Sequence, residues 1–232
     1  MTITHNQLLD IRLPLKSAAL FGNLYVPQQA TGIVLFVHGS GSSRFSKRNQ
    51  YVAESLNQSG LATLLFDLLT EDEEKIDINT REFRFNIPLL GKRLIEVTDW
   101  VLAQPTLHNL KIGYFGSSTG AAAALIAAAH HQNVIDAVVS RGGRPDLADQ
   151  ALPLVKAPTL LIVGGLDDVV IELNQTAKNK MIHAKNKKIT IVDGATHLFE
   201  EGGKLDEVVI LANDWFLQYL TNRSTSSKHA KK

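Results

Sequence analysis

The fold is decided by the stretch Leu110-Lys111-Ile112-Gly113-Tyr114-Phe115-Gly116-Ser117-Ser118-Thr119-Gly120, which runs into the alanine-rich segment Ala121–Ala129. The first six residues have the apolar character of a buried strand, and the alanine run predicts a helix. Between them stands Gly-x-Ser-x-Gly, which sets a serine on a sharp strand-to-helix turn. The two glycines leave room for such a turn, where larger side chains would collide with neighbouring backbone. The pattern predicts that Ser118 projects from the sheet edge as a nucleophile. The alternative is a purely structural role, in which the segment is an ordinary tight turn entering a packed helix.

Strand-like and helical segments alternate on both sides of this turn. Strands are predicted at 9–13, 19–26, 33–37, 61–66, 110–115, 135–140, 159–163 and 188–192, and helices at 46–59, 87–103, 118–131, 172–182 and 205–220. This alternation predicts an α/β fold: a mostly parallel sheet of about eight strands with helices on both faces. The first two strands suit an antiparallel edge. Residues 68–86 are charged and irregular, and are expected to form a loop or short helix, which would make a minimal cap.

Composition narrows the class of protein. The 232 residues fit one domain, expected at 1–222, followed by a polar, disordered tail at 223–232. A formal net charge of +1 gives no electrostatic reason to expect nucleic acid or an acidic membrane as a partner. Without cysteine the chain has no disulfide, thiolate metal site or cysteine nucleophile. We see no leader segment and no apolar run of about 18 residues, so a cytoplasmic protein without a membrane partner is expected.

The polar residues that follow the predicted strands indicate nucleophilic catalysis. Ligands bind outside the carboxyl ends of the strands in such sheets, and Ser118, Asp167 and His197 each follow a strand. Their chain order, serine then aspartate then histidine, is the one used on this type of sheet. Imidazole titrates near neutrality, so His197 can take the serine proton, and a carboxylate would orient the ring. Asp168 is the alternative for that carboxylate; we favour Asp167.

The loop after the third strand, His38-Gly39-Ser40-Gly41, supplies backbone donors. We expect the amides of Ser40 and Thr119 to form an oxyanion hole. His38 is expected to shape the loop by hydrogen bonding and to take no part in catalysis.

Basic residues follow two of the predicted strand ends. Arg44 and Arg144 are candidates for binding an anionic group on a substrate. The alternative is that these arginines pair with Glu71–Glu74 or Asp146, or are simply solvated. We find no metal-ligand spacing and no phosphate-binding loop, so no metal and no cofactor is expected.

At these residues the chain resembles the α/β-hydrolase superfamily, and within it dienelactone-hydrolase-type proteins with little or no cap. The segments that carry the resemblance are Val37-His38-Gly39, Gly116–Gly120, Ala157–Gly164 and Gly194-Ala195-Thr196-His197. Two more, Ser140–Asp146 and Thr196–Glu201, are similar to hydrolase domains that some bacteria fuse to a phosphoribosyltransferase domain. We expect no such second domain here, because the chain lacks room for it and has no evident phosphoribosyl-pyrophosphate loop.

The resemblance implies a hydrolase that acts on ester bonds. Dienelactone hydrolases themselves use a cysteine nucleophile, which this chain lacks, so a serine esterase acting through an acyl-enzyme is expected. The expected partner is a small soluble ester, with an anionic ester as one candidate, and the protein is expected to be a monomer or a homodimer. Two alternatives stay open: a non-catalytic binding module with the same fold, and an acyltransferase that uses the same three residues.

Overall fold

Eight strands and six α-helices follow one another along residues 3–221, the part of the chain that the computed structural model describes. The strands are β1 (Leu8–Pro14), β2 (Ala19–Tyr25), β3 (Gly32–Val37), β4 (Ala62–Phe66), β5 (Lys111–Ser117), β6 (Ile135–Arg141), β7 (Thr159–Gly164) and β8 (Lys187–Val192). The helices are α1 (Lys47–Gln58), α2 (Glu71–Thr80), α3 (Ile87–Leu102), α4 (Thr119–His130), α5 (Asp168–Lys180) and α6 (Lys204–Leu220). A 3₁₀ segment spans Pro145–Leu154.

The strands form one sheet in the order β1-β2-β4-β3-β5-β6-β7-β8. The pairs β1–β2 and β2–β4 are antiparallel, and the five remaining pairs are parallel. The predicted mostly parallel sheet with an antiparallel edge is therefore confirmed. Parallel strands bring the residues after β3, β5, β6, β7 and β8 to a common edge, where the candidate site lies.

Helices cover both faces of the sheet. On one face, Val52 and Leu56 of α1 share an apolar core with Ala212 and Phe216 of α6. On the other face, α3 packs against α4, whose seven alanines are all buried. The small side chains of α4 allow this close approach, and Gly91 of α3 fits against Ile126 where a β-carbon would come within 2.8 Å. The packing holds α4 against the sheet, and its first residue, Thr119, lies two positions after the end of β5.

The segment 68–86 contains one ten-residue helix, α2, and a short return loop. A capping box begins the helix: the Glu73 amide donates to the Thr70 hydroxyl, and the Thr70 amide donates to the Glu73 carboxylate. The buried carboxylate of Asp77 accepts from the amides of Phe83 and Arg84 and pairs with the Arg84 guanidinium. These contacts bind the return loop to α2, in agreement with a minimal cap.

Two local predictions differ from the structure. Helix α5 begins at Asp168, four residues before the predicted 172, and this aspartate in the first turn interacts favourably with the helix dipole. The 3₁₀ segment was not predicted.

The polar tail predicted at 223–232 lies outside the described residues. Within residues 3–221 no helix combines the length and apolar character that crossing a membrane requires.

Candidate active site

The end of β5 turns sharply into α4 at Ser118. Ser118 has φ 51° and ψ −122°, a left-handed conformation that is strained for a residue with a side chain. The glycines two positions before and after it are required by space. A β-carbon would come within 2.5 Å of the Ala121 Cα at Gly116, and within 2.2 Å of the Val37 carbonyl oxygen at Gly120. The local structure therefore has the strand, turn and helix that the sequence predicted.

Backbone hydrogen bonds fix this turn to the end of β6. The Ser118 amide donates to the Arg141 carbonyl at 3.2 Å, and the Arg144 amide donates to the Ser118 carbonyl at 3.0 Å. The Ala121 amide donates to the same Ser118 carbonyl at 3.1 Å, which begins α4. With its backbone held from both sides, the Ser118 side chain is presented at the sheet edge.

The structure brings Ser118, Asp167 and His197 together in space. His197 Nδ1 lies 2.7 Å from Asp167 Oδ2, and His197 Nε2 lies 3.4 Å from Ser118 Oγ. The His197 side chain is 38% exposed and that of Asp167 19% exposed, so the ring is open to a ligand while its carboxylate partner is more sheltered. With Nδ1 protonated and donating to Asp167, Nε2 is left as the acceptor that faces Ser118.

The two adjacent aspartates have different environments. Asp167 is the N-cap residue of α5, but its carboxylate caps no amide of that helix and instead contacts His197. Asp168 is exposed in the first turn of α5. Of the two carboxylates that the sequence left open, the structure places Asp167 against the imidazole.

The two amides predicted for an oxyanion hole differ in their availability. Thr119 is the first residue of α4, where amides have no acceptor within the helix. The Ser40 amide lies beside it, but it already donates to the Thr119 hydroxyl at 2.9 Å. The structure therefore brings Ser40 and Thr119 together through a side-chain hydroxyl that the sequence analysis did not consider.

His38 organises the loop that carries Ser40. Its Nε2 accepts from the Leu68 amide at 3.1 Å, so Nδ1 carries the proton and donates to the Gly39 carbonyl at 2.9 Å. Burial lowers the pKa of His38, because the interior disfavours the charged ring. The prediction that His38 shapes the loop by hydrogen bonding is confirmed.

The two arginines predicted to bind an anion are both paired within the protein. Arg144 donates Nε and Nη2 to the two carboxylate oxygens of Asp146, at 2.9 and 2.8 Å. Arg44 pairs with Asp67 and lies over the Phe21 and Phe45 rings. The pairing alternative thus describes both, although the partner of Arg44 is not one that the sequence suggested.

Arg141 is a buried cation that the sequence did not identify. It is only 7% exposed, and its guanidinium reaches Asn49 Oδ1 at 3.5 Å, next to the hydrogen bond that Ser117 donates to the same oxygen. Nε and Nη1 have no acceptor among the described residues. Desolvation, and to a lesser extent the charge of Arg48, lowers the pKa of Arg141 to about 10. No sequence motif marks this burial, because it depends on which face of β6 the side chain takes.

A second guanidinium that the sequence analysis missed lies at the loop after β3. A β-carbon at Gly41 would be 3.4 Å from Arg84 Nη1, so this nitrogen lies beside the loop while Nε and Nη2 are held by Asp77. The sequence signal available was only its place in the charged segment. Within residues 3–221, His, Asp and Glu side chains form no group of three placed to hold a metal ion.

Comparison with known proteins agrees with this architecture. A solved structure of a dienelactone hydrolase from Anabaena variabilis is 55% identical, with a TM-score of 0.90 over 93% of this chain and 99% of that chain. Est1E from Butyrivibrio proteoclasticus, at 17% identity, shares the fold with a TM-score of 0.74 over 90% of this chain and 98% of its own. The sheet, the helices on its two faces and the sharp turn at Ser118 define an α/β-hydrolase fold.

The family follows from the extent of the match. Residues 20–217 match the dienelactone hydrolase family, and the chain belongs to that family. Proteins of two Mycobacterium tuberculosis strains, each named a putative phosphoribosyl transferase, are 58% identical over 199 residues. That match covers 86% of this chain but 44% of theirs, so the chain spans less than half their length. The predicted similarity to proteins named as phosphoribosyl transferases is confirmed, and membership of the dienelactone hydrolase family supports a hydrolase.

Proposed function

We propose that this protein is a serine hydrolase that cleaves a small ester through an acyl-enzyme. The single observation that carries the proposal is the continuous contact from Asp167 to His197 to Ser118, at 2.7 and 3.4 Å. A serine hydroxyl is a weak nucleophile at neutral pH unless an adjacent base takes its proton. His197 is that base, and Asp167 holds the ring in the tautomer that leaves Nε2 free to accept.

The reaction runs in two matched halves. Ser118 Oγ attacks the ester carbonyl carbon while its proton passes to His197 Nε2, and the carbonyl electron pair becomes an oxyanion held at the beginning of α4. The oxyanion collapses, and the leaving alkoxide takes the proton from His197. Water then repeats the sequence on the acyl-enzyme and releases the acid, so the enzyme returns to its starting protonation state.

A small substrate is favoured by the limited cover over the sheet edge. Helix α2 has only ten residues, so the segment 68–86 forms no large lid over the sheet edge. The pairing of Arg44 and Arg144 removes the main support for an anionic ester, so we propose no charge requirement.

Labelling with a fluorophosphonate, followed by mass spectrometry of the peptides, tests this function. We expect one adduct per chain, located on Ser118, and hydrolysis of a short-chain p-nitrophenyl ester that the label abolishes. Ser117→Ala is the matched control and should label like the unaltered protein. Folded protein that takes up no label would overturn the proposal and favour a binding module with this fold.

A further inference from the structure

The hydroxyl of Thr119 occupies the place where the oxyanion hole was expected. It accepts a hydrogen bond from the Ser40 amide at 2.9 Å, and Thr119 as a whole is only 5% exposed. A hydroxyl carries one proton to donate besides its acceptor positions. Among the described residues, no acceptor receives the Thr119 hydroxyl proton. A nearly buried donor beside the proposed nucleophile is thus left without a partner.

This donor lies on the residue whose amide is expected to hold the developing charge. Thr119 follows Ser118 directly, and its amide is the first of α4, where the helix dipole favours negative charge. The amide nitrogen and the hydroxyl oxygen of one threonine are separated by two carbon atoms, so a single oxygen atom can accept from both. Because the Ser40 amide is bound to the acceptor side of the hydroxyl, the proton is directed away from Ser40.

We propose that the Thr119 hydroxyl donates to the oxyanion together with the Thr119 amide, and that the Ser40 amide orients this hydroxyl. This inference rests on the proposed serine-hydrolase function and changes the role assigned to Ser40. No proton is transferred in this contact: the hydroxyl keeps its proton while the hydrogen bond shortens as charge develops on the carbonyl oxygen. An amide that donates to a hydroxyl also polarises it, which strengthens the bond that the hydroxyl donates.

The alternative is that the Thr119 hydroxyl blocks the Ser40 amide instead of donating to the oxyanion. If the hydroxyl only occupies the Ser40 amide in the free protein, substrate must displace it, and its removal would leave both amides open to the oxyanion. The two roles predict changes of opposite sign for Thr119→Val, which keeps the shape and loses the hydroxyl. Thr119→Ser keeps the hydroxyl and serves as the conservative variant.

The experiment is steady-state hydrolysis of a p-nitrophenyl ester by both variants, with thermal unfolding measured alongside. We expect Thr119→Val to lose about 10²-fold in kcat with little change in KM, because a donor acting only in the transition state is removed. Thr119→Ser should recover most of that loss. Thr98→Val is the matched control: this buried threonine bonds to Leu94 and Tyr114, within and beside α3, and its loss should leave kcat unchanged.

Fluorophosphonate labelling separates a failure of this inference from a failure of the proposed function. If the unaltered protein is labelled on Ser118, and Thr119→Val is folded with kcat equal to or above that of the unaltered protein, the hydroxyl is not a donor and this inference alone is wrong. If the unaltered protein takes up no label and shows no hydrolysis, the serine-hydrolase function itself fails. A loss of kcat that Thr119→Ser does not recover would also overturn the inference.

Discussion

Ser117 and Ser118 are neighbours at the end of β5, yet their side chains enter two very different groups. Ser118 belongs to a front cluster with Asp167 and His197, at the open sheet edge, where both ring nitrogens of His197 have partners. Ser117 belongs to a rear cluster with Asn49 and Arg141, buried beneath the first turn of α1.

The two clusters show that hydrogen bonding serves different ends on the two sides of one turn. In the front cluster the bonds orient a base toward a partly exposed serine, which is what a reaction needs. In the rear cluster the guanidinium of Arg141 is buried without a carboxylate partner, and this burial lowers the stability of the fold. The guanidinium does not face the exposed edge of the sheet, where a substrate would bind. We therefore expect substitutions in the front cluster to change the reaction rate and those in the rear cluster to change the free energy of unfolding.

The largest difference is expected between alanine substitutions of the two serines. Ser118→Ala should lower kcat/KM for a p-nitrophenyl ester by at least about 10⁴-fold, because no other group can form the acyl-enzyme. Ser117→Ala should keep kcat/KM within about threefold and lose about 1 kcal/mol of unfolding free energy, through the lost bond to Asn49. Ester kinetics and urea unfolding of both variants make the comparison. Substantial activity in Ser118→Ala would show that Ser118 is not the nucleophile and that the front cluster does not carry the reaction.

The two adjacent aspartates should differ almost as much. Asp167→Asn is expected to lower kcat by about 10³–10⁴-fold, because an amide no longer holds His197 in the tautomer that accepts the serine proton. Asp168→Asn, which alters an exposed carboxylate in the first turn of α5, should change kcat by less than about twofold. Ester kinetics at several pH values measures both. Equal losses in the two variants would show that His197 depends on the local charge rather than on one carboxylate.

The sheet and the membership of the front cluster could be predicted because they follow from local patterns and one general rule. Apolar runs marked the strands, and residues after parallel strands must meet at a common edge. Even the choice of Asp167 over Asp168 was favoured correctly as far as its contact with His197 is concerned. The beginning of the ten-residue helix α2 could also have been predicted, since Thr70 and Glu73 have the spacing of a capping box.

The remaining features depend on side-chain directions that no local pattern determines. Arg144 and Asp146 are close in sequence, and their pairing was among the alternatives considered. Arg44 bonds to Asp67 across 23 positions, and the Ser40 amide reaches the Thr119 hydroxyl across 79. The burial of Arg141 depends on the face of β6 from which its side chain projects. Such contacts form only when the complete sheet has brought the strand ends together.

A smaller effect, of the opposite sign, is expected in the rear cluster. Arg141→Met should raise the unfolding free energy by about 1–3 kcal/mol, because an apolar side chain replaces a buried charge that lacks a carboxylate. Burial lowers the pKa of Arg141 from its ordinary value to about 10 in the folded protein, so folding disfavours the charged form throughout the neutral pH range. Urea unfolding measures the change, and Arg141→Lys, which keeps a charge, should show no gain. A lower unfolding midpoint in Arg141→Met with the same slope would mean that the charge has a partner.

The smallest effect concerns His38, which belongs to neither cluster and links the Ser40 loop to the backbone at Leu68. Burial lowers its pKa below 6.5, so the unfolded chain binds this proton more tightly than the folded protein does. Stability is therefore complete above pH 6.5 and falls as the pH decreases below it, by at most about 1.4 kcal/mol per pH unit for one group.

His38→Gln removes this titration and keeps an acceptor for the Leu68 amide. Unfolding free energies measured between pH 7.5 and pH 5 should fall less steeply for His38→Gln than for the unaltered protein, even if the variant begins from a lower value. His131, whose pKa burial also lowers, remains in both proteins and contributes equally to both slopes. Identical slopes would mean that His38 accepts a proton while folded. The Ser40 loop would then rearrange in acid, and activity would be lost there before the fold is.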